Sequence, residues 1–304
     1  MKTQRKTHLA AAFAAVIGLS GCGGGGGDGV AESVGALYSW MSSEIRGAWE
    51  QGFFGQGVRI TVIDDFDSGA LLSGNLGPGA GLKHHGDWVS QQVTLIAPQS
   101  ELAQADFDSL APITLGPGLN VLNLSYGIYG TAGSPVNWGA GQTASILQHA
   151  QGGAVVVKAA GNDYGTAVGQ VTAGNEVDFL ARDLIGAPSA LFVGALEFNG
   201  SVANKAPLAS YSNIAGGNAA VQSQFLVVGV TGSATGLYGT SFAAPVVSGY
   251  AAILGSKFTT ATPTQIVNQL LDTARTDTIL NYDVSVHGQG EASLANALAP
   301  QSIQ

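Results

Sequence analysis

Four residue types that together could hydrolyse an amide bond occur along the chain in the order Asp, His, Asn and Ser, at Asp64, His85, Asn162 and Ser241. A serine attacks a peptide carbonyl efficiently when a base takes its hydroxyl proton, an acidic group orients that base, and donors stabilise the developing oxyanion. A carboxylate, an imidazole and a side-chain amide meet these needs. The four residues therefore indicate nucleophilic acyl transfer.

The serine lies in the segment Gly239-Thr240-Ser241-Phe242-Ala243-Ala244-Pro245, and apolar residues follow it at helical spacing. A serine at a helix start has free backbone N–H groups and the positive end of the helix dipole beside it, and both favour negative charge. Pro245 fits this position because N–H groups in a first turn have no partner within the helix. The pattern predicts that Ser241 opens a helix. The alternative to a catalytic role, a serine that only caps a core helix, is the weaker interpretation of this seven-residue segment.

This segment resembles the nucleophile motif of subtilisin-like serine peptidases, usually Gly-Thr-Ser-Met-Ala-Ala/Ser-Pro-His-Val-Ala-Gly. With weaker landmarks aligned, the resemblance extends from Ile45 to Leu298. It implies that Ser241 is the nucleophile of an acyl-enzyme mechanism and that its backbone N–H is one oxyanion donor. It also implies the family's fold, a three-layer α/β domain with a mostly parallel central sheet and helices on both faces.

The residues Val62-Ile63-Asp64 match the aspartate that ends a strand in this family and orients the catalytic histidine. The Thr/Ser-Gly that usually follows is replaced by Asp65-Phe66, and Asp67 comes next, so three carboxylates crowd one turn. The ordinary role of Asp65 and Asp67 is that of solvated turn residues. Asp65 becomes the catalytic candidate if the register shifts by one residue.

The segment His85-Gly86-Asp87-Trp88-Val89 resembles the family's His-Gly-Thr-His-Val at three of five positions. The resemblance implies that His85 is the general base, with His84 as the neighbouring alternative. Trp88 stands where the family has its second histidine, and Asp87 replaces the threonine. Asp87 is also a candidate cap for the helix that His-Gly opens.

Two further segments resemble the family's substrate-binding parts. Ala159-Ala160-Gly161-Asn162 matches the family's Ala-Ala-Gly-Asn, which implies that the Asn162 side chain donates to the oxyanion. Asn123–Gly127 resembles the family's edge strand, which implies that an extended substrate pairs with the backbone of Ser125, Tyr126 and Gly127. This binding mode indicates polypeptide substrates and cleavage within the chain.

No metal site and no cofactor is expected. The chain reaches Ala97-Pro98 soon after His85, without the longer loop that helps many relatives to bind calcium. Lys158 is unusual, because a charge in a strand covered on both faces is costly unless it is paired. Two interpretations stay open: Lys158 faces a carboxylate near the specificity pocket, or its charged end reaches the surface.

The elements that must position these residues follow an alternating pattern. Helical patterns occur at 143–151, more weakly at 34–51, and at 263–273 with Thr262 as a candidate N-cap. Alternation of strands and helices predicts a parallel sheet with helices on both faces. No repeat or second boundary is evident, so one peptidase domain is expected over 34–304. Buried-strand patterns occur at 58–63, 119–124, 154–159, 190–195 and 224–230.

The first residues indicate export. Lys2, Arg5 and Lys6 precede the apolar run Leu9–Leu19, which is typical of a secretory signal and shorter than a membrane span of about 20 residues. The segment Leu19-Ser20-Gly21-Cys22 resembles a bacterial lipobox and contains the only cysteine. Residues 1–21 are therefore expected to be a lipoprotein signal peptide.

The resemblance to a lipobox implies that Cys22 carries the lipid that anchors the protein to a membrane. The glycine-rich residues that follow predict a flexible tether over 22–33. Gly23 is not the aspartate associated with inner-membrane retention, which favours the outer membrane or cell surface of a Gram-negative bacterium. No long propeptide fits before the first strand, so folding is expected to be autonomous or assisted by a trans-acting partner.

Composition limits the function classes. The chain has 304 residues, 45% of them hydrophobic, which supports a substantial core. Only 10% are charged and the formal net charge is −9, so a nucleic-acid partner is not expected. The leading hypothesis is a lipid-anchored serine endopeptidase that processes cell-surface proteins. The alternative is a catalytically impaired peptide-binding lipoprotein of the same fold. A serine esterase or lipase ranks last, because the sequence has no Gly-x-Ser-x-Gly elbow.

Overall fold

Short runs of apolar residues form the strands of a central parallel sheet. The computed structural model describes residues 35–303, so the predicted signal peptide, Cys22 and the whole tether lie outside the described residues. The strands are β1 (Val58–Asp64), β2 (Leu72–Asn75), β3 (Ala80–Lys83), β4 (Glu101–Asp106), β5 (Leu119–Leu124), β6 (Tyr129–Thr131), β7 (Val155–Ala159), β8 (Glu176–Asp178), β9 (Ala190–Leu196) and β10 (Phe225–Gly229).

Six of these strands form the central sheet, in the order β10-β9-β7-β5-β1-β4, and every neighbouring pair is parallel. The strands β5, β7, β9 and β10 are almost entirely buried, as expected for a sheet covered on both faces. The remaining strands form two small antiparallel pairs, β2 with β3 and β6 with β8.

Helices cover both faces of the sheet, which confirms the predicted three-layer α/β architecture. The helices are α1 (Glu44–Glu50), α2 (His85–Ile96), α3 (Gln142–His149), α4 (Phe179–Leu184), α5 (Ala219–Ser223), α6 (Gly232–Thr235), α7 (Ala244–Lys257), α8 (Pro263–Asp272), α9 (Val284–His287) and α10 (Leu294–Leu298). One hydrophobic cluster joins one face of the sheet to α1, α2, α7, α8 and α10, and a second joins the other face to α3, α4 and α5.

Several local predictions are confirmed. The first strand ends at Asp64, α2 begins at His85, and the five predicted strands occur within one or two residues of their expected bounds. Thr262 caps α8: its hydroxyl accepts from Gln265 N, while the Gln265 side chain accepts from Thr262 N. No helix among residues 35–303 is both long and apolar enough to cross a bilayer.

Two local predictions are wrong, and one strand was missed. The helix expected over 34–51 is confined to Glu44–Glu50. Strand β4 was not predicted, because an edge strand with a half-exposed, mixed sequence lacks the apolar run of a buried strand. The segment leading to Gly127 is not an edge strand, because β5 lies inside the sheet between β7 and β1 and its pairing ends at Leu124.

Candidate active site

The chemistry-bearing residues meet at the carboxyl edge of three neighbouring strands. Asp64 ends β1, Ser125 follows β5, and Asn162 lies shortly after β7. In open parallel sheets the carboxyl ends of the strands form the usual crevice for ligands. Gly86 N donates to Asp65 O at 2.8 Å, which holds the start of α2 against the end of β1. A Cβ at Gly86 would lie 2.9 Å from Asp65 O, so a glycine is needed at this close approach.

The carboxylate of Asp64 contacts the imidazole of His85, with Nδ1 and Oδ1 separated by 2.5 Å. Asp64 is buried, and the His85 side chain is 24% exposed, so one side of the ring faces the cleft. Asp64 Oδ1 also accepts from Asp65 N at 2.8 Å. Burial raises the pKa of Asp64, and the hydrogen bond from His85 opposes that rise. The arrangement fixes the ring so that Nε2 is left for the reacting groups.

Ser241 lies in a short 3-10 turn, Thr240–Phe242, that precedes α7. Its predicted place at a helix start is therefore displaced by one turn, although Pro245 lies in the first turn of α7 as expected. The Ser241 hydroxyl donates to Ser125 O at 3.0 Å rather than to His85. Ser125 Oγ in turn donates to Ser241 O at 2.9 Å.

His85 nevertheless lies beside the nucleophile segment, because its ring centroid is 5.3 Å from that of Phe242. For this imidazole to act as its base, the Ser241 hydroxyl would have to turn towards the ring. Catalytic hydrogen bonds in ligand-free enzymes often form or tighten only when substrate binds. The pair of Asp64 and His85 thus lies close to the segment that carries Ser241, whose hydroxyl is hydrogen-bonded to Ser125 O in this structure.

The side-chain amide of Asn162 is held in place through its oxygen. Its Oδ1 accepts from Thr240 N at 2.9 Å and from Thr240 Oγ1 at 3.1 Å. Thr240 Oγ1 also accepts from Gly161 N at 3.0 Å. Because these bonds engage the oxygen, the Nδ2 group is the end left to donate. A Cβ on Gly239, which has a φ of 118°, would lie 3.2 Å from that nitrogen.

His84 and Asp65, which the sequence left as alternatives to His85 and Asp64, lie in different environments. His84 is the N-cap residue of α2, and the carboxylate of Asp64 pairs with His85 instead. Asp65 Oδ1 accepts from Ser68 N at 2.8 Å and Ser68 Oγ at 3.0 Å, as a turn residue does. Asp87 lies in the first turn of α2 and not at its cap, so the predicted capping role is wrong.

Trp88, which replaces the family's second histidine, is fully buried in the core. Its Nε1 donates to Leu72 O at 2.9 Å, and Lys83 Nζ lies 4.7 Å from the ring centroid. The indole therefore joins α2 to the β2–β3 hairpin and helps to hold the helix that begins with His85.

A group of carboxylates lies beside this site. One oxygen from each of Asp65, Asp67 and Asp106 is within 4.8 Å of the others. Such oxygens are ligands that hard cations prefer. Two of the three carboxylates already accept hydrogen bonds within the loops. Asp65 Oδ1 accepts from Ser68 N, and Asp106 Oδ2 accepts from Phe66 N at 3.3 Å. Asp106 was not identified from the sequence, because β4 was missed.

An open cleft of about 360 Å³ adjoins His85. Its walls include the mostly apolar side chains of Leu72, Phe107 and Tyr126, with Ser125 at one side. The rings of Phe107 and Tyr126 are 5.7 Å apart. The cleft can receive an apolar group beside the imidazole.

Comparison with known proteins agrees with this fold. The model of the subtilase family matches residues 99–292, which include Asn162 and Ser241, while Asp64 and His85 precede the matched range. A search of curated proteins returned no match.

Solved structures of proteases share the fold. The prenylagaramide maturation protease PagA is 22% identical, with a TM-score of 0.57 over 84% of this chain and 98% of that one. The MycP3 protease from the type VII (ESX-3) secretion system is 21% identical, with a TM-score of 0.57 over 84% and 86%. A protease from Pseudoalteromonas arctica is 18% identical, with a TM-score of 0.53 over 89% and 95%. The family match spans most of the central sheet and both of the segments that carry Asn162 and Ser241, and the chain therefore belongs to the subtilase family.

Proposed function

We propose that the protein is a serine endopeptidase that cleaves polypeptides through an acyl-enzyme, with Asp64, His85 and Ser241 as its catalytic triad. The observation that carries the proposal is the 2.5 Å contact between buried Asp64 and His85, beside the turn that holds Ser241. Membership of the subtilase family supports the same reaction.

In the proposed reaction, His85 Nε2 takes the proton of Ser241 Oγ as that oxygen bonds to the substrate carbonyl carbon. His85 then gives the proton to the leaving amine as the C–N bond breaks, and Ser241 holds the acyl group. Water attacks the ester with His85 again as the base, and His85 returns the proton to Ser241 Oγ as the C–O bond to Ser241 breaks. Asp64 keeps Nδ1 of the ring oriented and stabilises the imidazolium during both steps.

Substrate binding is assigned to the backbone of Ser125, Tyr126 and Gly127. Sheet pairing on both sides of β5 ends at Leu124, so these residues extend beyond the sheet next to Ser241. An extended peptide can pair with such a segment and present its carbonyl to the serine.

The side chain of Asn162 and the backbone N–H of Ser241 form the proposed oxyanion site. Replacing Asn162 with alanine is expected to lower kcat by about 10²–10³-fold, the loss known for the corresponding residue of subtilisin. KM should change little, because the donor acts on charge that develops in the transition state. Steady-state kinetics on a peptide substrate checks this; a change confined to KM would contradict the assignment.

Export and lipidation are proposed from the first residues. Cys22 would carry the lipid anchor, placing the enzyme on an outer membrane or cell surface where it could process surface proteins. Labelling cells with radioactive palmitate should mark the wild-type protein and not Cys22→Ser. Equal labelling of both proteins would exclude this anchor.

A second candidate function is peptide binding without cleavage. It is favoured by the Ser241 hydroxyl, which is directed at Ser125 O and not at the imidazole.

A fluorophosphonate probe separates the two functions, since it reacts with activated serines. The full-length chain should be labelled, and Ser241→Ala should not. A folded wild type that resists the probe would favour the binding function.

A further inference from the structure

Asn213 lies beside the proposed oxyanion donor and has no part in the reaction proposed above. It belongs to the connection between β9 and β10, and only 4% of the residue is exposed. This connection runs alongside the chain that leaves β7: Asn213 N donates to Gly161 O at 3.0 Å, and Ile214 N donates to Thr166 O at 3.1 Å. A buried polar side chain thus lies against the segment that carries Asn162.

The side chain of Asn213 uses both of its ends on the residues next to Asn162. Its Oδ1 accepts from Asp163 N at 2.7 Å, and its Nδ2 donates to Ala160 O at 3.1 Å. The same Nδ2 donates to Asp163 Oδ2 at 3.1 Å. Together with the bond from its backbone N–H to Gly161 O, these contacts fix the chain on both sides of Asn162.

The backbone at Gly161 leaves room for this contact. Gly161 has a φ of 108°, and a Cβ there would lie 2.4 Å from Asn213 Nδ2. A residue other than glycine would be strained at this φ and would displace the Asn213 amide. The missing side chain lets that amide pack directly against the residue that precedes Asn162.

The residue before Asn213 anchors it to the central sheet. Ser212 Oγ accepts from Ala195 N in β9 at 3.0 Å and donates to Asn213 O at 2.9 Å. Ser212 is fully buried. Because β9 is the neighbour of β7 in the sheet, the Asn213 amide is fixed relative to the strand that leads to Asn162.

An amide suits this position because its neighbours are of both kinds. Asp163 N is a donor, whereas Ala160 O and the Asp163 carboxylate are acceptors. Asparagine supplies an acceptor oxygen and an NH₂ donor in one side chain, while an ionised aspartate offers no donor. An aspartate would also set a second negative charge against that of Asp163.

The Asn162 amide is thereby held from two directions. Thr240 engages its side-chain oxygen, and Asn213 holds the backbone on either side of it. An oxyanion donor must lie about 2.7–3.1 Å from the charge that develops, so the position of its backbone matters. A displacement of about 1 Å in an active site can cost about 10²-fold in rate.

We propose that Asn213 is a positioning residue: its side chain sets the place of the Asn162 amide, and with it the strength of the oxyanion site. This inference rests on the proposed peptidase function. In this role Asn213 contacts neither the substrate nor the reacting atoms, and its effect on catalysis is exerted through Asn162.

The first test measures kcat and KM of the full-length chain on a peptide substrate. Asn213→Ala should lower kcat by about tenfold or more and leave KM within about twofold, because the displaced donor acts on the transition state. The matched control is Asn218→Ala, which removes the acceptor for Ala220 N from the same connection and should keep the wild-type kcat. An unchanged kcat for Asn213→Ala, or a change confined to KM, would overturn the inference.

The second test repeats the substitution in a chain without the donor. In the Asn162→Ala background, Asn213→Ala should lower kcat by less than about twofold, because the group that it positions is gone. A merely structural role would lower activity by the same factor in both backgrounds, and that result would count against a positioning role.

Asn213→Asp takes the place of Asn213→Ala if the alanine variant does not fold. It keeps the size of the side chain and the acceptor for Asp163 N, but it lacks the donor. The same pattern is expected: a loss of kcat where Asn162 is present, and none in the Asn162→Ala background.

The outcomes separate this inference from the proposed function. A wild type that reacts with the fluorophosphonate probe, combined with equal losses of kcat in the two backgrounds, would overturn the inference and leave the peptidase function standing. Absence of labelling in the folded wild type would instead remove the peptidase function, and the inference with it.

Discussion

Replacing His85 with alanine is expected to lower kcat by about 10⁶-fold, the loss found when the histidine of subtilisin is removed. Without the imidazole the proposed base for the Ser241 hydroxyl proton is lost, and Asp64 loses its partner at 2.5 Å. The residual rate should come from binding and the oxyanion donors alone. Single-turnover and steady-state kinetics on a peptide substrate measure the effect.

The matched control is His84→Ala. His84 precedes His85 in the chain, yet it is the N-cap residue of α2 and its side chain makes no capping hydrogen bond. Its replacement should leave kcat within a few-fold of the wild-type value, because substitutions away from special contacts usually have small effects. The reverse result, a large loss for His84→Ala and a small one for His85→Ala, would show that the assignment of the base is wrong.

Asp64→Asn is expected to lower kcat by about 10⁴-fold, as the same change does in the triad of trypsin. An asparagine cannot stabilise the imidazolium, and it favours the wrong ring tautomer. The substitution should also stabilise the fold at neutral pH, because burial raises the pKa of Asp64 and disfavours its ionised form.

The pH dependence of stability follows from the direction of that shift. Between the unfolded pKa of an aspartate and the raised pKa of folded Asp64, the folded state binds more protons. The free energy of unfolding of the wild type should therefore fall as pH rises through this window. Asp64→Asn should lack that fall, which urea unfolding at several pH values would reveal.

The control for the predicted effect of Asp64→Asn on kcat is Asp65→Asn, because the sequence left Asp65 as the alternative carboxylate. The pKa of Asp65 is lowered by its hydrogen bonds to Ser68 and Asp67. Its replacement should keep most of the activity. If Asp65→Asn caused the larger loss of kcat, Asp65 and not Asp64 would be the residue that orients the histidine.

Much of the fold could be predicted from the sequence because its signals are local. A run such as Val58–Ile63 is apolar and β-branched throughout, which occurs in strands buried on both faces. The mixed sequence of Glu101–Asp106 carries no such signal, since an edge strand is exposed on part of its surface. Helix α1 is shorter than its sequence pattern predicted: only Glu44–Glu50 is helical, and the chain then turns into β1.

The sequence by itself determined which residues are the candidates for the chemistry: a carboxylate at a strand end, a histidine opening a helix, and an amide and a serine in family motifs. These depend on neighbours within a few positions. Tertiary structure alone decided that Asp64 contacts His85, that the Ser241 hydroxyl donates to Ser125, and that Lys158 pairs with Asp178. Each of these contacts joins separate elements, and strand order sets which elements meet. Periodicity along one segment carries no information about that order.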